Sequence, residues 1–277
     1  MEKVIRDQVS DHQVEILLND LLEIFGYDFT NYSPASVKRR INRLYALDQF
    51  TSFAEFRNRV IDDDRYISRF IQEITVNVTE MFRDPEFYAT IRQKVIPVLS
   101  THPFIRIWHA GCSTGEEVYS MAICLKESNL LHKSLLYATD ISPEVLATLD
   151  KGIFPLSMIR QYSENYLRSG GTEDFSNYYT AKYDLAKFND DLREKMIVST
   201  HNLVSDGSFN EFQLIICRNV LIYFNKSLQD RVLTLFDASL EKLGFIGLGS
   251  KEQIKFSNIG NKYTQLDPRE KIWRKMI

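Results

Sequence analysis

One stretch, IRIWHAGCSTGEEVYS at Ile105–Ser120, narrows the possible folds more than any other part of the chain. An apolar run ends at Gly111, a tight loop reaches Gly115, and a helical pattern follows at once. Glycines let a backbone turn sharply and approach a ligand closely. In a doubly wound α/β sheet, the first strand-to-helix loop lies beside the switch point, where ligands bind outside the strand ends. The downstream sequence keeps this rhythm. Phe104 to Ala110, Ser134 to Thr139 and Gln213 to Cys217 read as buried strands, with helices over Glu117 to Leu125 and Pro143 to Leu149. Such alternation predicts a parallel sheet with helices on both faces. Between about 157 and 200 the pattern breaks. Tyr178-Tyr179-Thr180 and Met196 to Ser199 are expected as strands of a small antiparallel insertion.

Upstream, the chain is helical in pattern. Val14, Leu17, Leu18, Leu21, Leu22 and Phe25 recur at helical spacing before Gly26. Ser33-Pro34 is a capping residue followed by a first-turn proline, opening a helix with the stripe Val37, Ile41, Leu44. Ser52 to Ile61 and Arg65 to Ile74 read as two more. An all-helical domain over 1–80 and an α/β domain over 81–277 are expected. With 44% hydrophobic and 26% charged residues, the chain can bury a real core. A net charge of -3 offers no global attraction to nucleic acid or acidic membranes. Cys112, Cys124 and Cys217 share no metal-site spacing and are odd in number, so neither a disulfide framework nor a zinc site is expected. Met1 to Asp11 lacks an apolar signal core, and the longest apolar stretch, Phe212 to Phe224, is broken by Arg218-Asn219 and too short to span a bilayer. A cytoplasmic monomer, neither inserted in a membrane nor bound to nucleic acid, is the expectation.

Charge separates the ligands that such a glycine loop could hold. A pyrophosphate sits on a helix N-terminus, drawn by the dipole. Here Glu116 and Glu117 occupy that first turn and would repel it, whereas S-adenosylmethionine has no phosphate and carries an ammonium and a sulfonium. The same acids also fit a capping box, Ser113 with Glu116 or Thr114 with Glu117, which needs no ligand. Asp140 ends the strand LLYATD, where an acid can accept from both ribose hydroxyls; a loop aspartate before Ser142-Pro143 is the plainer alternative. Arg218-Asn219 interrupts an apolar run where a central strand should end. Such groups are costly there unless hydrogen-bonded or facing a cleft, so either a salt bridge or a site follows.

Three separated segments, AGCSTGEE, TVNVTEMFRD and ICRNVLIYF, resemble in this order the signature segments of the chemotaxis receptor methyltransferase (CheR) family. The resemblance covers nearly the whole chain. It implies a helical N-terminal domain, a Rossmann-like domain binding S-adenosylmethionine (S-adenosylhomocysteine being the product), and a small antiparallel β subdomain inserted in it. It also implies formation of glutamyl methyl esters on the cytoplasmic helices of chemoreceptors. Carried over residue by residue, the cofactor contacts fall on Asn77, Thr79, Arg83, Glu117, Asp140, Asn202, Leu203, Arg218 and Asn219. The residues alone point to Glu117, Asp140 and the Arg218-Asn219 pair, but not to Asn77 or Thr79. GLGSKEQIKFS follows the family's Gly-x-Ser-Glu stretch only loosely, and Ser169 to Thr200 has its own length and composition. Some members grip a receptor C-terminal peptide with that insertion, a property this sequence does not establish.

A glutamate carboxyl titrates at about 4.3, so at neutral pH it is a ready nucleophile without a general base. The five scattered histidines offer no convincing base, and His109 is expected to pack beside the glycine loop. Arg83 and Tyr223 are the candidates for positioning the incoming carboxylate; for Tyr223, in VLIYF, core packing is the competing role. Lys38, Arg39, Arg40 and Arg43 come with no acid among them. Arg39 and Arg43 form a stripe opposite Val37, Ile41 and Leu44, suited to an acidic receptor helix or merely solvated. The rival readings are a methyltransferase of this fold serving another pathway, a catalytically silent S-adenosylmethionine-binding module, and a nucleotide-dependent oxidoreductase.

Overall fold

The structure, a computed structural model, describes residues 8–75, 78–267 and 269–276. The chain divides into two compact units, Met1–Asn77 with Tyr223–Gln229, and Val78–Ile222 with Asp230–Ile277. In the first, helices α1 (Asp11–Phe25), α2 (Pro34–Leu47), α3 (Phe53–Asp62) and α4 (Asp64–Thr75) bury their apolar faces, although on α1 only Val14, Leu17 and Leu21 of the announced stripe are buried and Leu22 stays exposed. Ser10 and Gln13 close a capping box on α1, and Gly26 ends it in the left-handed conformation that glycine tolerates best. Ser33 precedes α2 without a side-chain cap, leaving Pro34 as the start signal.

A distant segment completes this unit. Tyr32 forms a β-bridge with Phe224, Ser33 N–H donates to the Tyr223 carbonyl at 2.7 Å, and Asn225 N–H donates to the Asn31 carbonyl at 2.9 Å. The segment leads into α11 (Lys226–Ser239), which begins among these residues.

The second unit opens with α5 (Pro85–Thr90), a π-helical turn at Ile91–Val95 and α6 (Ile96–Leu99). Then follow β1 (Ile105–Ala110), α7 (Glu116–Glu127), β2 (Ser134–Asp140), α8 (Pro143–Lys151), β3 (Ile153–Pro155), α9 (Leu156–Arg168), β4 (Tyr179–Lys182), β5 (Leu185–Phe188) and α10 (Asp190–Arg193). The chain continues through β6 (Met196–Thr200), β7 (Phe212–Cys217), α11, β8 (Leu240–Leu248), β9 (Tyr263–Gln265) and β10 (Ile272–Lys275). The main sheet has the order β6-β2-β1-β7-β8-β10-β9, parallel from β6 to β8 with two antiparallel strands at the far edge. The chain leaves β1 for β2 and β6 on one side, then returns to β7 and β8 on the other, so the switch point lies at the carboxyl end of β1.

The expected antiparallel insertion exists as a three-stranded sheet in the order β3-β5-β4. One of its two expected strands was misplaced. Met196 to Ser199 belongs to β6, which pairs parallel with β2 in the main sheet. A short β-branched run carries no information about which sheet edge it joins. The third strand of the insertion instead comes from Ile153–Pro155, directly after α8. Side chains alternate along β1. Ile105 and Ile107 enter the core under α7, while Trp108 points the other way, ringed by His201, Phe209, Phe212 and Phe236 at centroid distances of 5.0–5.3 Å. Among the described residues, no helix is long and apolar enough to cross a membrane.

The basic run on α2 is corrected at one position. Arg40 is buried rather than displayed; its guanidinium donates to the Ile74 carbonyl near the end of α4 and lies 4.5 Å over the Tyr223 ring. Lys38 pairs with Asp11 at 2.7 Å and Arg43 reaches Glu73 at 3.9 Å, so compensating acids come from other helices. Only Arg39 and Arg43 stand exposed. Arg40→Ala leaves a helix-terminal carbonyl unsatisfied and removes the cation over the ring; an expected loss of about 2 kcal/mol follows. Arg39→Ala should stay within about 0.5 kcal/mol of wild type. Urea unfolding of the two variants checks the contrast, and equal midpoints would contradict it.

Candidate functional site: a glycine loop between two acids

The loop after β1 is folded by three residues at positive φ, Gly111 (74°), Ser113 (51°) and Gly115 (96°). Gly111 and Cys112 N–H both donate to the Thr139 carbonyl, at 2.8 and 2.9 Å, tying the loop to the end of β2. A side chain at Gly111 would meet Val220 at 2.6 Å, and one at Gly115 would meet Leu149 at 2.4 Å. These glycines let the turns after β7 and α8 close on the loop. Neither capping box forms. Gly115 itself occupies the cap, and the Thr114 hydroxyl donates to Glu116 at 2.6 Å instead.

The two acids of the first helical turn, equal in the sequence, part company in the structure. Glu116 is buried against the Tyr162 hydroxyl, and burial pushes its carboxyl above the ordinary value despite the bonds from Thr114 and Tyr162. Glu117 is also desolvated, which alone would raise it. The His109 Nδ1 bond at 3.0 Å and the Arg218 guanidinium at 3.5 Å outweigh that burial and hold it below the ordinary value. Glu117 is therefore the standing negative charge at the N-terminus of α7, and a pyrophosphate there would meet it directly.

Arg218 is almost fully enclosed. It bridges Glu117 to the Asp84 carboxylate at 2.5 Å, donates to the Arg83 carbonyl at 3.0 Å, and lies 4.3 Å over the Phe87 ring. The salt bridge and the site are thus the same feature. Asp84 and Phe82 both have positive φ, an uncommon state for such residues, and the Ser120 hydroxyl accepts from Phe82 N–H at 2.9 Å. Together these contacts fix the segment carrying Arg83, whose guanidinium donates to the Val78 carbonyl at 2.8 Å and is otherwise half-exposed.

Asp140 is buried at the end of β2, accepting from Ser113 N–H at 2.9 Å and Ser142 N–H at 3.1 Å. Burial raises its carboxyl, and those backbone donors pull it partly back. A carboxylate offers about four acceptor sites, so two backbone bonds leave capacity for hydroxyls. His201 N–H donates to the Asp140 carbonyl at 3.1 Å, which brings Asn202 and Leu203 to the same strand ends. The Asn202 side chain accepts from Val204 N–H at 3.0 Å, and Leu203 is buried. Among the buried polar atoms near this loop without a partner are Ser113 Oγ and Asn219 Oδ1, together with His109 Nε2 and Arg218 Nε. Thr79 is half-buried, and Asn77 lies outside the described residues. Tyr223 does not end a strand. It closes a single 3-10 turn, Leu221–Tyr223, after β7 and is counted with the helical unit. Burial pushes up all three cysteine thiols, Cys124 to about 12, leaving none poised as a thiolate.

This arrangement fits S-adenosylmethionine: an ionised acid beside the loop, a second acid at the end of the next strand, orphaned acceptors between them, and no phosphate cradle. Residues 77–270 match the family model for the CheR methyltransferase SAM binding domain, and residues 12–75 match that for the CheR methyltransferase all-alpha domain. The chain belongs to the CheR methyltransferase family. S-adenosylmethionine is its cofactor. A Pseudomonas putida protein carrying the methyltransferase name Cher3 is 46% identical, over 96% of this chain and 97% of that one. Chemotaxis protein methyltransferases of Listeria innocua and Borreliella burgdorferi are 31% and 29% identical, covering 83% and 94% of this chain and 85% and 91% of their own lengths. Asp84 as the partner of Arg218, His109 as that of Glu117, and Glu252, which caps the turn at Asn219, escape a sequence reading. The FRD and GSKEQ segments hold two of them, but the partners lie elsewhere in the chain, Asp84 and Arg218 being 134 residues apart.

Asp140→Ala should weaken S-adenosylhomocysteine binding at least tenfold, since each lost charge-assisted bond is worth about 1.5–3 kcal/mol. Burial raises the Asp140 carboxyl, so acidification protonates it sooner than it would an exposed aspartate. Wild-type affinity should fall on the acid side before an ordinary aspartate would titrate, and Asp140→Asn should abolish that limb. Calorimetry across pH tests both; an unchanged acid limb in Asp140→Asn would assign it elsewhere.

Proposed function

We propose that this chain transfers the methyl group of S-adenosylmethionine to glutamate side-chain carboxylates on the cytoplasmic helices of chemoreceptors, giving glutamyl methyl esters. The observation that carries the reading is the pairing of a fixed acidic cofactor site with the half-exposed Arg83 guanidinium on the segment that Arg218 locks. The names of the Listeria and Borreliella relatives support the same pathway. When bound, S-adenosylmethionine supplies a methyl carbon on a sulfonium, open to direct displacement by a carboxylate oxygen. Glu117, Asp140, Asn202, Leu203, Arg218 and Asn219, with Thr79 and Asn77, are the residues assigned to hold it. Arg83 orients the acceptor carboxylate, and an arginine held by its own backbone contact can do so without neutralising the nucleophile through a full bidentate pair. A carboxylate acceptor leaves no proton to remove, so the protein's work is alignment and exclusion of water.

On α2, Arg39 and Arg43 are assigned to the acidic receptor helix, with Lys38 beside them; Arg40 drops out because it is spent inside the helical unit. Tyr223 is assigned to acceptor orientation through its hydroxyl. Its ring lies against Arg40 and its hydroxyl also meets that guanidinium, so Phe at this position keeps the ring alone and the single-turnover rate is the readout of the acceptor role.

Methyl-labelled cofactor incubated with a soluble receptor fragment should leave label that mild alkali releases as methanol; alkali-stable label would indicate N-methylation and end the proposal. Arg39→Glu with Arg43→Glu should weaken receptor methylation, and wild-type activity should fall with added salt, while cofactor affinity holds. Tyr223→Phe should reduce kcat and kcat/KM together by roughly 10- to 100-fold in single turnover at saturating cofactor, with Tm nearly unchanged. A wild-type single-turnover rate would leave Tyr223 as the support of Arg40 alone.

A further inference from the structure

Glu252 lies after β8, in the stretch that follows the family pattern only loosely, and it is 5% exposed. No lysine, arginine or histidine pairs with it among the described residues. Its carboxylate is instead met by backbone. Oε2 accepts from Gly249 N–H at 2.7 Å and Asn219 N–H at 3.1 Å, Oε1 accepts from Ile222 N–H at 3.2 Å, and Leu221 adds a fourth backbone bond. A buried carboxylate satisfied only by backbone donors is costly to assemble and persists where it fixes a backbone shape.

The shape it fixes is the turn after β7. Asn219 stands there at φ 62°, a left-handed conformation that a non-glycine residue seldom adopts without outside support. Gly249 makes room for it. A side chain at 249 would meet Asn219 N at 2.8 Å, Glu252 Oε2 at 2.9 Å and Asn219 Nδ2 at 3.0 Å. The Asn219 amide is thus packed on its nitrogen side against a bare backbone, and its Oδ1 is buried with no partner. The next residue, Val220, fills the space over Gly111 in the cofactor loop.

We infer that Glu252 is a positioning residue for cofactor binding, holding Asn219 so that its orphaned carbonyl oxygen accepts a hydrogen bond from an N–H or O–H group of the bound S-adenosylmethionine. The inference rests on the assignment of Asn219 to the cofactor, and it is independent of the acceptor. Removing one backbone-facing oxygen lets the turn relax and turns Oδ1 away, without touching Glu117, Asp140 or Arg83.

The test uses the full chain and S-adenosylhomocysteine as probe, by calorimetry, with single-turnover methyl transfer as a second readout. Glu252→Gln should raise Kd and the KM for S-adenosylmethionine about tenfold or more, with the rate at saturating cofactor within about twofold. Asn219→Ala should raise Kd similarly, and in the double variant the losses should not add, because one residue acts through the other. Gly249→Ala, which crowds Asn219 directly while keeping the carboxylate, should give the same KM effect and keeps the question answerable should Glu252→Gln fold poorly. Additive losses in the double variant, or Gly249→Ala and Glu252→Gln with wild-type Kd, would overturn the inference. Because binding is read without an acceptor, loss of the glutamate-ester reading would leave this result standing.

Discussion

The site is organised around one enclosed cation. Arg218 sits where dispersion from Phe87 and charge from Asp84 and Glu117 can all reach it, out of competition with water. A buried pair of this sort adds little net stability, because desolvation offsets much of the attraction. What it confers is specificity of arrangement. Removing Arg218 would leave the desolvated Glu117 with His109 alone and cut its link to the exposed Asp84, so the loop at 82–85 and the first turn of α7 are held together by this one cation. Glu117 keeps its charge for the same reason, and that charge decides which ligands the glycine loop can accept.

The second determinant is topological. β1 lies centrally in the parallel part of the sheet, and its neighbours on either side are reached by crossovers running in opposite senses. The loop ends after β1, β2 and β7 therefore converge without any long excursion, and each delivers residues of the candidate site: the glycines, Asp140, and Arg218 with Asn219. Rigid strand ends hold such groups more accurately than free loops do.

Much of this was legible in the residues themselves. The strand–glycine–helix passage fixed the switch point, and the acids at 117 and 140 declared themselves by place and charge. Local periodicity found α1 to α4, α7 and α8 within about two residues, but not α5, α6, α9 or α11. It failed where the answer depended on partners far along the chain. Met196 to Ser199 looked like part of the insertion because a short strand-like run does not say which sheet it joins. Arg40 looked like its exposed neighbours because the carbonyl of Ile74 and the ring of Tyr223, which draw it inward, are invisible from α2 alone. Glu116 and Glu117 are adjacent acids with opposite shifts, a difference created by Tyr162 on one side and His109 with Arg218 on the other. Glu252 carries no motif that announces four backbone donors.

The β-bridge between Tyr32 and Phe224 has a consequence for the order in which the chain is made. Its two halves are separated by the chain of β1 through β7, and closing so long a loop carries an entropic cost before any contact rewards it. During synthesis the four N-terminal helices emerge first and wait, with the backbone groups of Asn31 and Ser33 still unpaired, until residues 223–225 leave the ribosome. Their completion waits for the chain just beyond β7 but not for β8 to β10, so the helical unit can close before the main sheet receives its last three strands.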